Sequence, residues 1–346
     1  MSTVRIGYAP WGETLEEVAD AARRAEAAGA KVIWVPELHR SATVTAAAVA
    51  AATTTARVGT AIALAFTRSP MVTALEAMDL DELADGRFVL GLGSGVQRLN
   101  EDWHHARWGK PVAHLDETVR AIRTFVAECT TGEPIELDGA HEPMRIRGYQ
   151  RPYAVRRPAI PVYLAAMGPA MTRLAGRVGD GWISHELCSP AYLEKRILPE
   201  LETGLEQAGR ARTELDVVVS ACCSVDDDAA TARRRVAATV GFYASVRTYA
   251  EFFAFHGLAA QQEQVREAFR GGRGADHLAD AVDDTMVDCL TLAGDPDAVA
   301  GRLAAYEGLA DSVKLSPPTH GIDAAQTRAA QDSIIALVAT LTGGHA

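Results

Sequence analysis

Two short stretches put chemically capable groups at the ends of apolar runs. In WVPELHRSAT, residues 34–43, Glu37 and His39 follow such a run. A carboxylate and an imidazole there can share proton work. Histidine titrates near neutrality, so His39 can protonate a substrate or stabilise charge that develops during reaction. The alternative is a surface histidine in a loop. In LAAMGPAMTRLAG, residues 164–176, a strand pattern enters a Gly-Pro turn and then a helix, through Ala165, Ala166, Met167, Gly168, Pro169, Ala170 and Met171. Pro169 suits the first helical position and Gly168 lets the backbone approach a ligand. The free N–H groups from Ala170 to Thr172 then form an anion site, with Arg173 and Arg177 further along the helix. The alternative is an ordinary strand-to-helix turn with solvated arginines.

A third stretch, RFVLGLGSG, ends in Gly91, Gly93, Ser94 and Gly95. A dinucleotide fingerprint opens the first strand–helix–strand unit and leads straight into a helix, with an acidic residue about 20 positions on. These glycines come at the fourth strand, alternate as GxGxG and lead into VQRLNEDWHHARWGKP, which is no clean helix start. Two readings stay open. The glycines clear a flat floor for a planar ring, or they relieve crowding inside a barrel. Of the residues that follow, Gln97, Arg98 and Asn100 lie next to the floor. His104 and His105 are adjacent and so do not share a helix face, and no carboxylate cluster surrounds them. A metal is not expected; aromatic packing with Trp103 and Trp108 is.

The elements that position these groups alternate. VRIGYA, KVIWVPE, RVGTAIALAF, RFVLGLGSG, IPVYLAA, GWISH, LDVVVSACC and DSVKLSPP read as short buried strands, separated by helical patterns. Gly29 stops the first helix and Ser69-Pro70 opens another. Continuous apolar strands are buried on both faces, as in parallel sheets. An eight-unit run without a second domain predicts a (β/α)8 TIM barrel, α/β in class, as one domain over residues 1–346. The pattern breaks twice: an excursion after the fourth strand, Trp103 to Pro158, and a helical insertion late in the chain, His256 to Leu290. Asp226 to Phe255 reads as one long helix.

Bulk composition narrows the function. The chain has 346 residues, 48% of them hydrophobic, a net charge of -11 and a pI near 5.4. No lysine or arginine run is dense enough for a nucleic-acid footprint. The five cysteines are odd in number, scattered and without a CxxC, which argues against a disulfide framework or zinc site and fits a reducing cytoplasm. The N-terminus lacks the basic and apolar regions of a signal peptide, and no stretch is long enough to span a bilayer. A small-molecule partner is expected.

Taken together, WVPELH, GTAIALAFTRSPM, ADGRFVLGLGSG and PVYLAAMGPAMTRLAGRVGDGWISH resemble the bacterial luciferase-like flavin/deazaflavin oxidoreductase superfamily. The similarity is closest to its actinobacterial branch that depends on coenzyme F420. The resemblance runs in order through nearly the whole chain and implies a (β/α)8 barrel with both breaks, a flavin-like ring over the C-terminal mouth and, commonly, a homodimer. It makes cofactor phosphate binding the expectation for the Gly168 turn. It implies a non-prolyl cis peptide at Ala61–Ile62 against the ring, and an acidic residue and a histidine near ring and substrate at Glu37 and His39. Sugar-phosphate-oxidising relatives carry a glutamate directly after the glycines. Here Val96 stands there, which argues against that substrate. The expected activity is hydride transfer between coenzyme F420 and a small organic substrate. The alternatives are an FMN-dependent monooxygenase using reduced flavin and O2, and a non-catalytic flavin-binding barrel.

Overall fold

The computed structural model describes residues 4–343. Its strands, in chain order, are β1 (Arg5–Tyr8), β2 (Val32–Val35), β3 (Arg57–Thr60), β4 (Ala63–Leu64), β5 (Phe88–Gly93), β6 (Ile135–Leu137), β7 (Met144–Ile146), β8 (Val162–Ala165), β9 (Gly181–Ile183), β10 (Asp216–Val225), β11 (Leu292–Gly294) and β12 (Ser312–Ser316). Parallel strands alternate with helices along the chain, and the fold is a (β/α)8 barrel.

The chain gathers into two compact units. One comprises residues 32–184 and 197–217. Its parallel strands run in the order β2, β3, β5, β8, β9, with β4 paired to β5. Runs such as VIWV and FVLGLG are buried at every residue, the signature of strands covered on both faces. Two of its helices start where a serine side chain takes up an orphan amide. Ser41 caps Ala42–Ala52, and Ser69 with Pro70 at the first turn caps Pro70–Leu83. The other unit comprises residues 4–31, 185–196 and 218–343, with parallel strands in the order β11, β10, β12, β1. In it Tyr8 of β1 donates its hydroxyl to Gln331 of the helix Ala324–Thr342, so that helix covers the sheet face shared by Tyr8 and its register partner Leu315.

Several elements differ from the sequence reading. The predicted third strand is two strands, interrupted where the Ala61–Ile62 peptide is cis. The excursion holds its expected helix (Pro111–Glu128) and also an antiparallel pair, β6 with β7, whose three-residue strands carry too little alternation to be read. The long helix expected over residues 226–255 breaks into Ala229–Ser245, a 3-10 turn and Ala250–Phe255. β11 was hidden because its three residues merge with the apolar end of the preceding helix, Asp284–Leu290.

Candidate active site

Glu37, the Ala61–Ile62 peptide, the glycines and the Gly168 turn lie at or just after the C-terminal ends of β2, β3, β5 and β8. β5 delivers the glycines, and each is there for a different reason. A side chain on Gly91 would run into the carbonyl of Thr60, 1.8 Å from the added carbon, and the Thr60 hydroxyl bonds the Gly91 amide at 2.8 Å and carbonyl at 2.7 Å. Gly91 therefore relieves crowding. Gly93, one pleat further along the strand, lies under the side chain of Ile62, 3.0 Å from an added carbon, and beside Ala165, its register partner on β8. At both glycines the missing side chain makes room for a neighbouring protein group, a carbonyl at Gly91 and the Ile62 side chain at Gly93. Gly95 adopts φ +63°, and a side chain there would meet Leu64 and Asn100. The fully buried Asn100 donates to the carbonyls of Ser94 (2.7 Å) and Val96 (3.0 Å) and so holds the loop after the floor. Ser94 itself is half-buried.

The Ala61–Ile62 cis peptide turns the chain between β3 and β4 and presents Ile62 to Gly93. Glu37 straps this bulge. Its amide donates to the Ile62 carbonyl (3.1 Å) and its carboxylate accepts from the Leu64 amide (2.8 Å). Arg68 grips both carboxylate oxygens, one at 2.9 Å, and also faces Glu76 at 3.4 Å. Burial alone would push the Glu37 carboxyl up. The Arg68 and Leu64 hydrogen bonds, with the Arg68 charge and the Ala42 amide, outweigh it and hold the group below the usual carboxylate range. Glu37 is thus an ionised, fully engaged carboxylate. Arg68 escaped the sequence reading because nothing in FTRSP links it to a glutamate 31 residues earlier. His39 lies two residues further on, exposed, with no hydrogen bond tying it down among the described residues.

β8 delivers the turn. The Ala166 carbonyl accepts from the buried Trp182 indole at 3.1 Å, which pins the strand end. Met167 is exposed and Gly168 takes φ +78° and ψ 152° as N-cap of the helix Pro169–Val178. A side chain built on Gly168 meets nothing within 4 Å, so the space over the turn is open. The first helical amide to find a partner is that of Thr172, bonded to the Gly168 carbonyl at 3.0 Å. Among the described residues nothing accepts from the amides of Ala170 and Met171, which are left at the helix start. A helix N-terminus with free amides and an uncrowded glycine can hold an anion. The two arginines do not add to it: Arg173 pairs with Glu200 and Arg177 faces Asp116 at 3.8 Å.

The excursion packs beside this region through Phe66, which stacks on His114 with ring centroids 3.8 Å apart and meets Trp108 edge-on. His114 bonds the Trp108 carbonyl (3.2 Å) and the Glu142 carboxylate (2.8 Å), so both ring nitrogens face acceptors. Burial works against the imidazolium, but Glu142, then the Trp108 carbonyl, raise it above the ordinary histidine range. Trp103, His104 and His105 are exposed.

Two further histidines at strand ends, His185 and His320, lie in the other unit. His185 is buried against Tyr243, Tyr249 and Phe252. His320 pairs with Asp276 at 2.7 Å and stacks on Phe242.

Known proteins share this framework. The family model described as luciferase-like monooxygenase matches residues 2–312. An uncharacterised protein of Mycobacterium tuberculosis is 30% identical over 308 residues, covering 86% of this chain and 89% of its own. The 5,10-methylenetetrahydromethanopterin reductase of Methanolobus tindarius is 29% identical over 304 residues, covering 87% and 89%. Among solved structures, the coenzyme F420-dependent tetrahydromethanopterin reductase of Methanopyrus kandleri superposes with a TM-score of 0.80 at 23% identity, covering 98% of this chain and 97% of its own.

Proposed function

Because the chain belongs to the luciferase-like monooxygenase family, we propose that it is a coenzyme F420-dependent oxidoreductase, moving a hydride between the deazaflavin and a small organic substrate. The observation that carries this reading is the Gly168 turn. An open glycine and two free helix-start amides follow directly on Ala165, which lies beside Gly93 and Ile62. An anion site close to a patch formed by Ile62, Gly93 and Ala165 fits a planar ring with a phosphate-bearing tail. Ile62, Gly93, Ser94, Gly95 and Ala165 would hold the ring, and Ala166 to Met171 the phosphate. The relatives whose names carry F420 or a methanopterin reductase activity support the choice of coenzyme.

When bound, the deazaflavin supplies the hydride chemistry. The chain supplies position and protons. The Glu37–Arg68 pair holds the bulge that presents Ile62, and its charge is already neutralised, so Glu37 is a positioning residue. Proton transfer to or from the substrate falls to an imidazole nitrogen of His39, the uncommitted titratable group at the end of β2. The same reading carries the expectations of a homodimer and of a cytoplasmic enzyme.

Titration of the purified protein with oxidised F420 and, separately, with FMN tests the proposal. Saturable F420 binding, tighter than FMN, supports it. Tighter FMN binding would move the chain to the flavin monooxygenases, and binding of neither would leave a barrel without this cofactor chemistry.

A further inference from the structure

The unit formed by residues 4–31, 185–196 and 218–343 contains a polar cluster that the proposed reaction does not use. Lys314 sits in the middle of β12 and is only 5% exposed. Side chains alternate along a strand, and directly paired residues in a parallel sheet share a face. Tyr8 and Leu315 take the helix-covered face, so Lys314 takes the opposite one, level with Ser220 of β10 and Gly7 of β1. Gly7 adds no side chain at that level. One pleat on, about 6.6 Å along the strand, Ser316 pairs with Cys222 on the same face. Ser316 is 6% exposed and its hydroxyl has no hydrogen-bond partner among the described residues. A lysine side chain is long enough to bring its ammonium to that level.

Lys314 makes no ion pair and no hydrogen bond among the described residues. Burial lowers its pKa, and the charge of Glu186 works the other way. Glu186 does not close an ion pair with it; its carboxylate accepts from the Tyr243 hydroxyl at 3.5 Å. Beside them His185, buried and near the Lys314 charge, is pushed down to about 3, chiefly by burial, and is neutral. A buried ammonium without a partner is costly for a fold to keep, and a buried hydroxyl without one adds to the cost.

We infer that Lys314 and Ser316 form a receiving site for a carboxylate, one oxygen accepting from the ammonium and the other from the hydroxyl. A monoanion matches the single cation. A phosphate dianion would bring a second negative charge towards Glu186 with no second cation to meet it. Because β12 ends in the barrel's C-terminal half, where ligands of this fold bind, the substrate is a small organic acid. That last step rests on the oxidoreductase reading; carboxylate binding at Lys314 does not.

The test uses the full-length protein without added coenzyme, with butyrate, butyramide and inorganic phosphate as probes in calorimetric titrations. The expected result is saturable butyrate binding, at least tenfold weaker binding of butyramide and phosphate, and at least a tenfold loss in Lys314→Met. Ser316→Ala should weaken butyrate severalfold. Lys314→Met replaces a buried charge with an apolar chain of similar length, so it should fold. Should it not, the Lys314 side-chain NMR signal of the parent must move on butyrate addition. Equal binding of butyrate and butyramide, preference for phosphate, unchanged binding in Lys314→Met or an unmoved lysine signal overturns the proposal. Butyrate binding without F420 binding would leave this site standing and remove the proposed coenzyme. F420 binding without butyrate binding would do the reverse.

Discussion

Arg68 clamps the carboxylate of Glu37 through both of its oxygens while the Leu64 amide takes one of the same oxygens, so one ion pair ties β2 to the bulge between β3 and β4. The pair is largely shielded, with the Glu37 side chain 10% exposed. Glu37→Gln keeps the shape and removes the charge. It should cost roughly 1–3 kcal/mol in urea unfolding at neutral pH, the range for losing a buried charge-assisted hydrogen bond. The folded pKa is depressed, so this stabilisation is present above the ordinary carboxylate pKa and is lost as pH falls through the lower folded value. The parent should therefore lose its advantage over Glu37→Gln in acid. A stability difference that stays constant from neutral pH into strong acid would show that the charge of Glu37 contributes nothing.

Gly168→Val should weaken coenzyme binding by about tenfold or more, a change of about 1.4 kcal/mol. The added β-carbon has no protein atom within 4 Å, so the side chain extends into the open space over the turn and blocks what approaches it. Valine at φ +78° adds backbone strain of about 1–3 kcal/mol, so the variant should be folded but less stable. Circular dichroism checks the fold and fluorescence titration with F420 checks binding. Parental affinity in a folded variant would remove the turn from the binding site.

His39→Ala should leave F420 affinity unchanged and lower turnover by about 10²–10⁴, the usual contribution of a general acid or base. The side chain is exposed and makes no hydrogen bond among the described residues, so its loss should not disturb folding. Turnover within about threefold of the parent, well below that range, would make His39 a bystander.

His114 couples the excursion to pH. Its folded pKa is raised, so its contribution to stability is fully present below the ordinary histidine pKa and declines as pH rises through the folded value. The parent should thus be more resistant to urea than His114→Leu by a wider margin at pH 6 than at pH 9. Cleavage near residues 138–142, where Glu142 meets the ring and Glu117 holds the amides of His141 and Glu142, should rise in the parent over the same interval. A pH-independent margin would mean that the ring acts by packing on Phe66 alone.

Much of this protein is legible along the chain because it is local. Apolar runs of four to six residues, the Ser69-Pro70 and Gly168-Pro169 junctions and the alternation of strand with helix are short-range patterns, and together they specify a barrel. GTAI carried the cis peptide only through resemblance, since no propensity argues for a non-prolyl cis bond. Tertiary structure alone decided what each glycine is for: Gly91 yields to a carbonyl 31 residues away, whereas Gly93 yields to the side chain of Ile62. It also decided that Glu37 is spent on Arg68, and that Lys314, the one charged residue of β12, lies beside Ser220 and Gly7 without a counter-charge in contact among the described residues. Register and ion pairing join residues from distant parts of the chain. They depend on which strands become neighbours, and that is set only when the whole barrel packs.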